Sequence, residues 1–154
     1  MSLVSPARSV TRILLLVLIT AVTSVAQTTK PVAVTVYKSA TCGCCAKWND
    51  HLSANGFEVT SNDVGKEELQ SIKDKHGVPA ATHSCHTALI GDYVVEGHVP
   101  ADVIRKLLQE RPKVLGIAVP GMPMGSPGME GPRKDAYQVL TFDAQGATEV
   151  FASR

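Results

Sequence analysis

This sequence has almost no excess of one type of charge, no long apolar segment and no visible internal repeat. The formal net charge is +1 over 154 residues, so the chain lacks the strongly basic surface that attracts nucleic acids or anionic membranes. The apolar run at 13–22 has only about ten residues, too few to span a bilayer. No repeat is visible, and the length fits one domain. We therefore expect a single globular unit with no nucleic-acid partner.

The N-terminus has the features of a secretory signal peptide. Arg8 and Arg12 both precede the apolar run, and the small residues of a cleavage site follow at 24–26. We predict a signal peptide at 1–26 and an exported domain at 27–154, with no membrane segment after cleavage. An uncleaved membrane anchor is the alternative.

The order of apolar patterns predicts a mixed α/β fold. The stretch V-A-V-T-V-Y at 32–37 is rich in β-branched residues, which is typical of a strand. Cys45, Trp48 and Leu52 recur at the spacing of one helix face, and Gly91-Asp92 indicates a hairpin turn. The resulting order β-α-β-α-β-β-α matches a thioredoxin-like core. Its predicted strands are 32–37, 57–61, 87–90 and 93–96, and its predicted helices are 45–55, 66–76 and a third that runs from Pro100 to Arg111.

A segment of different composition follows this core. Residues 119–132 read V-P-G-M-P-M-G-S-P-G-M-E-G-P, where glycine and proline prevent a regular element. Strand-like runs at 137–142 and 148–151 flank the turn A-Q-G. We expect a Gly/Pro/Met-rich loop and then a C-terminal β-hairpin.

Three of the four cysteines lie within the short stretch T-C-G-C-C. Cys42, Cys44 and Cys45 are too close together to suit two structural disulfides that staple distant parts of an exported chain, although that pairing stays an alternative. In the predicted topology they lie at the N-terminus of the first helix, where the helix dipole favours thiolate. The cluster therefore indicates a redox site or a thiolate metal site.

The fourth cysteine, Cys85, comes just before the predicted hairpin. In a thioredoxin-like topology the chain returns to the redox end of the sheet at this point. We expect its sulfur within about 4–7 Å of a sulfur in the turn formed by residues 42–45. His86 follows Cys85 and His98 follows the hairpin, so both imidazoles are candidate metal ligands at the same end.

Four clustered thiols can hold soft metal ions, and both copper and a single zinc ion are candidates. Thiolates are soft ligands that select Cu(I), zinc or iron–sulfur clusters. Because one Cu(I) is satisfied by about two or three donors, four thiolates would allow bridging and more than one copper. An interaction domain stabilised by zinc is one alternative, but the second C-x2-C of such sites is missing. A thiol–disulfide oxidoreductase using Cys42 and Cys45 is the other, and the residues leave open whether the chain is an enzyme.

Five long stretches resemble one protein family. They are V-Y-K-S-A-T-C-G-C-C-A-K-W, H-L-S-A-N-G-F-E-V, S-C-H-T-A-L-I, Y-V-V-E-G-H-V-P-A and A-V-P-G-M-P-M-G-S-P-G-M-E-G. Together they resemble the CopG-type copper-resistance family of bacterial periplasmic proteins, a thioredoxin-like domain long described as of unknown function. The resemblance covers nearly the whole predicted exported domain.

The resemblance implies a periplasmic protein that handles copper or supports its redox chemistry. It further implies a cysteine-bridged polynuclear copper site held by Cys42, Cys44, Cys45 and Cys85. The implied partners are copper ions and a periplasmic copper-handling or redox protein.

The remaining sulfur and imidazole side chains are weaker ligand candidates. Methionines of the loop could add thioether donors or fill gaps against the core. His83 is a loop residue that solvent could equally satisfy, whereas His51 and His76 are expected at the surface or at helix ends. The methionines concerned are Met122, Met124 and Met129.

Overall fold

A computed structural model of the chain describes residues 1–2 and 30–154, so the predicted signal peptide, apart from its first two residues, lies outside the described residues. The described part has three α-helices and one seven-stranded mixed sheet, which confirms the α/β class. None of its helices is both long and apolar enough to cross a bilayer. In chain order the elements are β1 (Val32–Lys38), α1 (Gly43–Ala54), β2 (Phe57–Asp63), α2 (Lys66–Lys75), a 3-10 turn (Ala80–Thr82), β3 (His86–Ile90), β4 (Tyr93–Glu96), α3 (Ala101–Glu110), β5 (Gly116–Ala118), β6 (Gln138–Phe142) and β7 (Thr148–Ser153).

The strand order brings three connecting segments to one end of the sheet. The order is β2-β1-β3-β4-β5-β6-β7. The pairs β1/β2 and β4/β5 are parallel and the others antiparallel. Lys38 at the end of β1 pairs with His86 at the start of β3, and Glu96 at the end of β4 pairs with Thr87. The segments after β1, before β3 and after β4 therefore meet.

The first seven main elements follow the predicted order, and two of them differ from the prediction by two residues at one end. The helix α1 begins at Gly43 rather than at Cys45, because Cys42 is its N-cap and the Cys42 carbonyl accepts a hydrogen bond from the Ala46 N–H (3.2 Å). Strand β2 extends to Asp63 because it stays in register with β1 along its whole length.

Strand β5 is missing from the sequence prediction. It pairs with β4 on one side and with β6 on the other, and so joins the C-terminal hairpin to the main sheet. A run of three residues is too short for an apolar alternation to be recognised. A Cβ atom at Gly116 would lie 2.1 Å from the Val94 carbonyl oxygen, so only glycine allows this close approach.

The sheet buries apolar side chains on both faces. Trp48 and Leu52 of α1 and Ile104 of α3 belong to the larger core. Successive residues of a strand point to opposite faces, so Val95 lies in the larger core and Val94 in a smaller one.

Candidate metal centre

Three cysteines lie at the start of α1. Cys42 is the N-cap, and Cys44 and Cys45 belong to the first turn, as the sequence predicts. Cys42 and Cys45 form a disulfide, whereas Cys44 and Cys85 are free. The structure therefore represents the form in which the C-x-x-C pair is oxidised.

Cys85 joins these three residues across the sheet. Its Sγ atom lies 3.3 Å from the Cys45 Sγ atom, closer than the expected range. The Cys42 and Cys44 Sγ atoms are 3.6 Å apart, and the four sulfur atoms lie within 4.8 Å of one another. The predicted convergence is confirmed, because Cys85 precedes β3 at the end of the sheet where β1 leads into α1.

The imidazole of His98 lies against Cys85. Its Nε2 atom is 3.0 Å from the Cys85 Sγ atom, and its Nδ1–H donates to the Pro127 carbonyl at 2.7 Å. A proton on Nδ1 leaves the Nε2 lone pair directed at the sulfur cluster, the usual arrangement of a metal-binding histidine with an oriented outer partner. His98 is fully buried, and burial lowers its pKa, so the ring is neutral at pH 7.

The second predicted imidazole, His86, is also buried at the cluster. Its Nδ1 atom lies 3.5 Å from the Cys85 Sγ atom, and its ring packs on Trp48 with centroids 4.3 Å apart. Within the described residues its Nε2 atom has no hydrogen-bond partner, although the side chain is fully buried. A second set of donor atoms within 4.8 Å of one another is therefore formed by Cys45, Cys85, His86 and His98. It shares two sulfurs with the cysteine set.

The surroundings of Cys85 favour the protonated thiol over the thiolate. Burial, followed by the charge of Cys44, raises the pKa of Cys85 to about 12. Because thiolate is the form that binds metals, a metal at this sulfur must displace the proton.

The loop at 119–132 covers the cluster, a feature that sequence reasoning missed. Gly128, with φ +88°, is so close to α1 that a Cβ atom there would lie 2.5 Å from the Cys44 carbonyl oxygen. At its other end the loop is held by the Ser84 hydroxyl, which donates to the Gly121 carbonyl at 2.5 Å. The glycine and proline content predicted a loop but gave no signal for what the loop contacts.

The chain is similar to one protein family and to two solved structures. The protein family described as "Protein of unknown function, DUF411" matches residues 82–129. Two solved structures, named "Copper resistance protein copG- Form 1" and "Form 2", are each 49% identical to the chain, with TM-scores of 0.75 and 0.74. In each case the match covers 80% of this chain and 98% of the other. The chain belongs to the CopG family of copper resistance proteins. No curated protein sequence matches it.

The other candidate histidines of this CopG-family chain belong to neither donor set. His83 donates from Nε2 to the Val78 carbonyl at 3.2 Å. His51, in the last turn of α1, accepts the Ala101 N–H at 3.1 Å and so ties α1 to α3. His76 is the C-cap of α2, as expected for a helix-end residue. Of the loop methionines, Met122 is exposed, and Met124 and Met129 are half-buried.

The variant Gly128→Ala is expected to be less stable than Gly121→Ala. Both positions have positive φ, but only Gly128 faces backbone atoms at contact distance, whereas nothing lies within 4 Å of a Cβ at Gly121. The backbone clash should lower the free energy of unfolding by about 1–3 kcal/mol beyond the conformational strain that both variants share. Urea unfolding of both variants measures the difference, and equal losses would show that the loop yields at Gly128.

The metal-free protein should lose stability as the pH falls below about 6.5. Burial, then the charge that His98 gains when it is protonated and the positive charge of Lys73, hold the pKa of His86 well below its ordinary value of 6.5. Below that pH the unfolded chain binds a proton that the folded chain does not. The free energy of unfolding should therefore fall by up to about 1.4 kcal/mol per pH unit from this residue.

Denaturant unfolding of the His86→Gln variant and of the unmodified chain, at about pH 7.5 and about pH 5.5, measures this contribution. The variant should show the shallower dependence on pH. Identical slopes would mean that His86 is protonated in the folded protein.

Proposed function

We propose that the chain is a periplasmic copper-binding protein of copper resistance or homeostasis that holds a thiolate-bridged polynuclear copper site. The bridging ligands are the sulfurs of the four clustered cysteines, and the two buried imidazoles add nitrogen donors. The observation that carries the proposal is the convergence of these six side chains in two overlapping sets. The ligands proposed are Cys42, Cys44, Cys45, Cys85, His86 and His98.

The donor chemistry favours Cu(I). Thiolates are soft donors, and neutral imidazole also suits copper. Because four thiolates exceed what one Cu(I) requires, sharing of Cys45 and Cys85 between the two donor sets supports more than one metal ion per chain. The solved relatives are named as copper resistance proteins, which supports copper rather than zinc as the metal.

The Cys42–Cys45 disulfide gives the site a redox capacity. Oxidation of the two thiols to the disulfide releases two electrons and two protons. Two Cu(II) ions take up two electrons to become two Cu(I) ions, so the electrons balance. The reduced site can therefore either give two electrons to copper, which leaves Cys44 and Cys85 as the free thiols, or keep all four sulfurs as ligands.

The thioredoxin-like fold and the location are also part of the proposal. The fold is supported by the order β2-β1-β3-β4 with β1/β2 parallel and by the cysteines at the N-terminus of α1. The periplasmic location is supported by the signal-peptide pattern at 1–26 and by the family resemblance. Its partners are then copper ions and a periplasmic copper-handling or redox protein.

A second candidate function is thiol–disulfide exchange, which the Cys42–Cys45 disulfide favours. This pair has the C-x-x-C spacing, and its position at a helix N-terminus lowers thiol pKa values in general. An oxidoreductase would use these two residues alone.

Anaerobic titration of the reduced protein against a competing Cu(I) chelator tests the proposal. We expect an endpoint above one Cu(I) per chain, because bridging sulfurs serve several ions. The matched control is the unreduced protein, in which a thiol assay should find two free thiols and copper uptake should be lower. An endpoint at one copper, or displacement of copper by zinc, contradicts a polynuclear copper site.

A further inference from the structure

A buried ion pair lies beside the segment that carries Cys85. The Lys73 Nζ atom of α2 is 2.5 Å from the Glu96 Oε1 atom at the end of β4, and these side chains are only 5% and 0% exposed. The Thr87 hydroxyl accepts from Lys73 at 2.9 Å and donates to Glu96 Oε2 at 2.7 Å. The three side chains form a closed hydrogen-bonded ring on the face of β3 opposite to His86.

Glu96 also binds the backbone just before Cys85. The Ser84 N–H donates to Glu96 Oε1 at 2.6 Å, while the Ser84 hydroxyl donates to the Gly121 carbonyl at 2.5 Å. Ser84 is therefore fixed from two sides. Cys85, the next residue, cannot move far from Cys45 without breaking one of these bonds.

Stabilisation of the fold does not by itself explain why a buried ion pair is present here. Replacing a buried ion pair with apolar residues of similar volume is often neutral or stabilising. The pair does, however, hold a carboxylate rigidly against a loop N–H, with Lys73 and Thr87 orienting its two oxygens.

We propose that the Lys73–Glu96 pair is a positioning device for the metal centre. The Glu96 carboxylate fixes the Ser84 N–H and thereby holds the Cys85 sulfur opposite Cys45. The inference deepens the proposed function, since Cys85 is one of its ligands, but the position of Cys85 can be measured without metal.

The test compares two double variants that both remove the buried charges. Lys73→Met with Glu96→Gln keeps an amide oxygen that can accept the Ser84 N–H, whereas Lys73→Met with Glu96→Leu does not. Each double variant is made in a chain whose only cysteines are Cys45 and Cys85. These two thiols can form a disulfide, and its equilibrium with glutathione gives their effective concentration. We expect it to be about tenfold lower in the Leu variant, as for the loss of one hydrogen bond.

The control is Asp102→Asn, which removes the exposed ion pair with Arg154 and should leave the equilibrium unchanged. Equal effective concentrations in the Gln and Leu variants would overturn the inference. Should the Leu variant fail to fold, hydrogen exchange of the Ser84 amide in the unmodified metal-free chain decides instead. Slow exchange of that amide supports the inference, and exchange at the rate of an unbonded amide overturns it.

The positioning role and the proposed copper function can be tested separately. The Gln and Leu double variants are made in the chain with all four cysteines and titrated with copper. Copper binding that weakens in the Leu variant but not in the Gln variant supports both. A tenfold difference in the thiol equilibrium, with no copper bound by any variant, supports the positioning role and removes the copper function.

Discussion

The Cys85→Ser variant is expected to lose the full copper load and to leave cells sensitive to copper. The Cys85 sulfur is the centre of the cluster, 3.3 Å from Cys45 and 3.0 Å from the His98 Nε2 atom, and it belongs to both donor sets. Serine provides a hard, protonated oxygen that cannot bridge Cu(I) ions. The loss of a bridging ligand should lower copper affinity by at least about 100-fold, the upper limit for losing an outer-shell partner.

Copper per chain after anaerobic loading, and growth in added copper, measure this effect. The same result is expected for Cys44→Ser, because a polynuclear site needs every bridging sulfur. Thr41→Ala, an exposed change beside Cys42, serves as the control and should keep the copper load. Full tolerance in Cys44→Ser and Cys85→Ser, with loss only in Cys42→Ser and Cys45→Ser, would favour the oxidoreductase instead.

The Trp48→Ala variant is expected to show the largest loss of stability. Trp48 is fully buried, packs on the ring of His86 and donates its indole N–H to the Val99 carbonyl at 2.9 Å. Truncation to alanine leaves a large cavity between α1 and the sheet and should lower the free energy of unfolding by about 3–5 kcal/mol. Since small domains are stable by only about 5–15 kcal/mol, this is a major part of the total.

Urea unfolding of the metal-free protein, followed by circular dichroism, measures this loss. Trp48→Phe is the matched control, because it keeps most of the apolar contact with His86 and loses the hydrogen bond to Val99. Its cost should be smaller, about 1–3 kcal/mol. A similar cost for both variants would show that the hydrogen bond, rather than the packing, stabilises this region.

Local patterns in the sequence were enough for the order of the main elements and the position of three cysteines. Strand periodicity at 32–37 and the helix-face spacing of Cys45, Trp48 and Leu52 depend only on near neighbours, so they could be recognised without the fold. Strand β5 could not, because its three residues are defined by pairing with β4 and β6.

The contacts that complete the site depend on segments far apart in the chain. The residue types themselves determine that four thiols and two imidazoles are available, that these are soft or borderline donors, and that Cys85 is followed by His86. Only the tertiary structure decides that His98 is oriented by the Pro127 carbonyl, or that Glu96 bonds to the Ser84 N–H. These bonds arise where β1 and β4 end and β3 begins, and no local pattern encodes which distant backbone group will lie there. The sequence thus determines which donor atoms are available, and the pairing of the strands determines where those atoms lie.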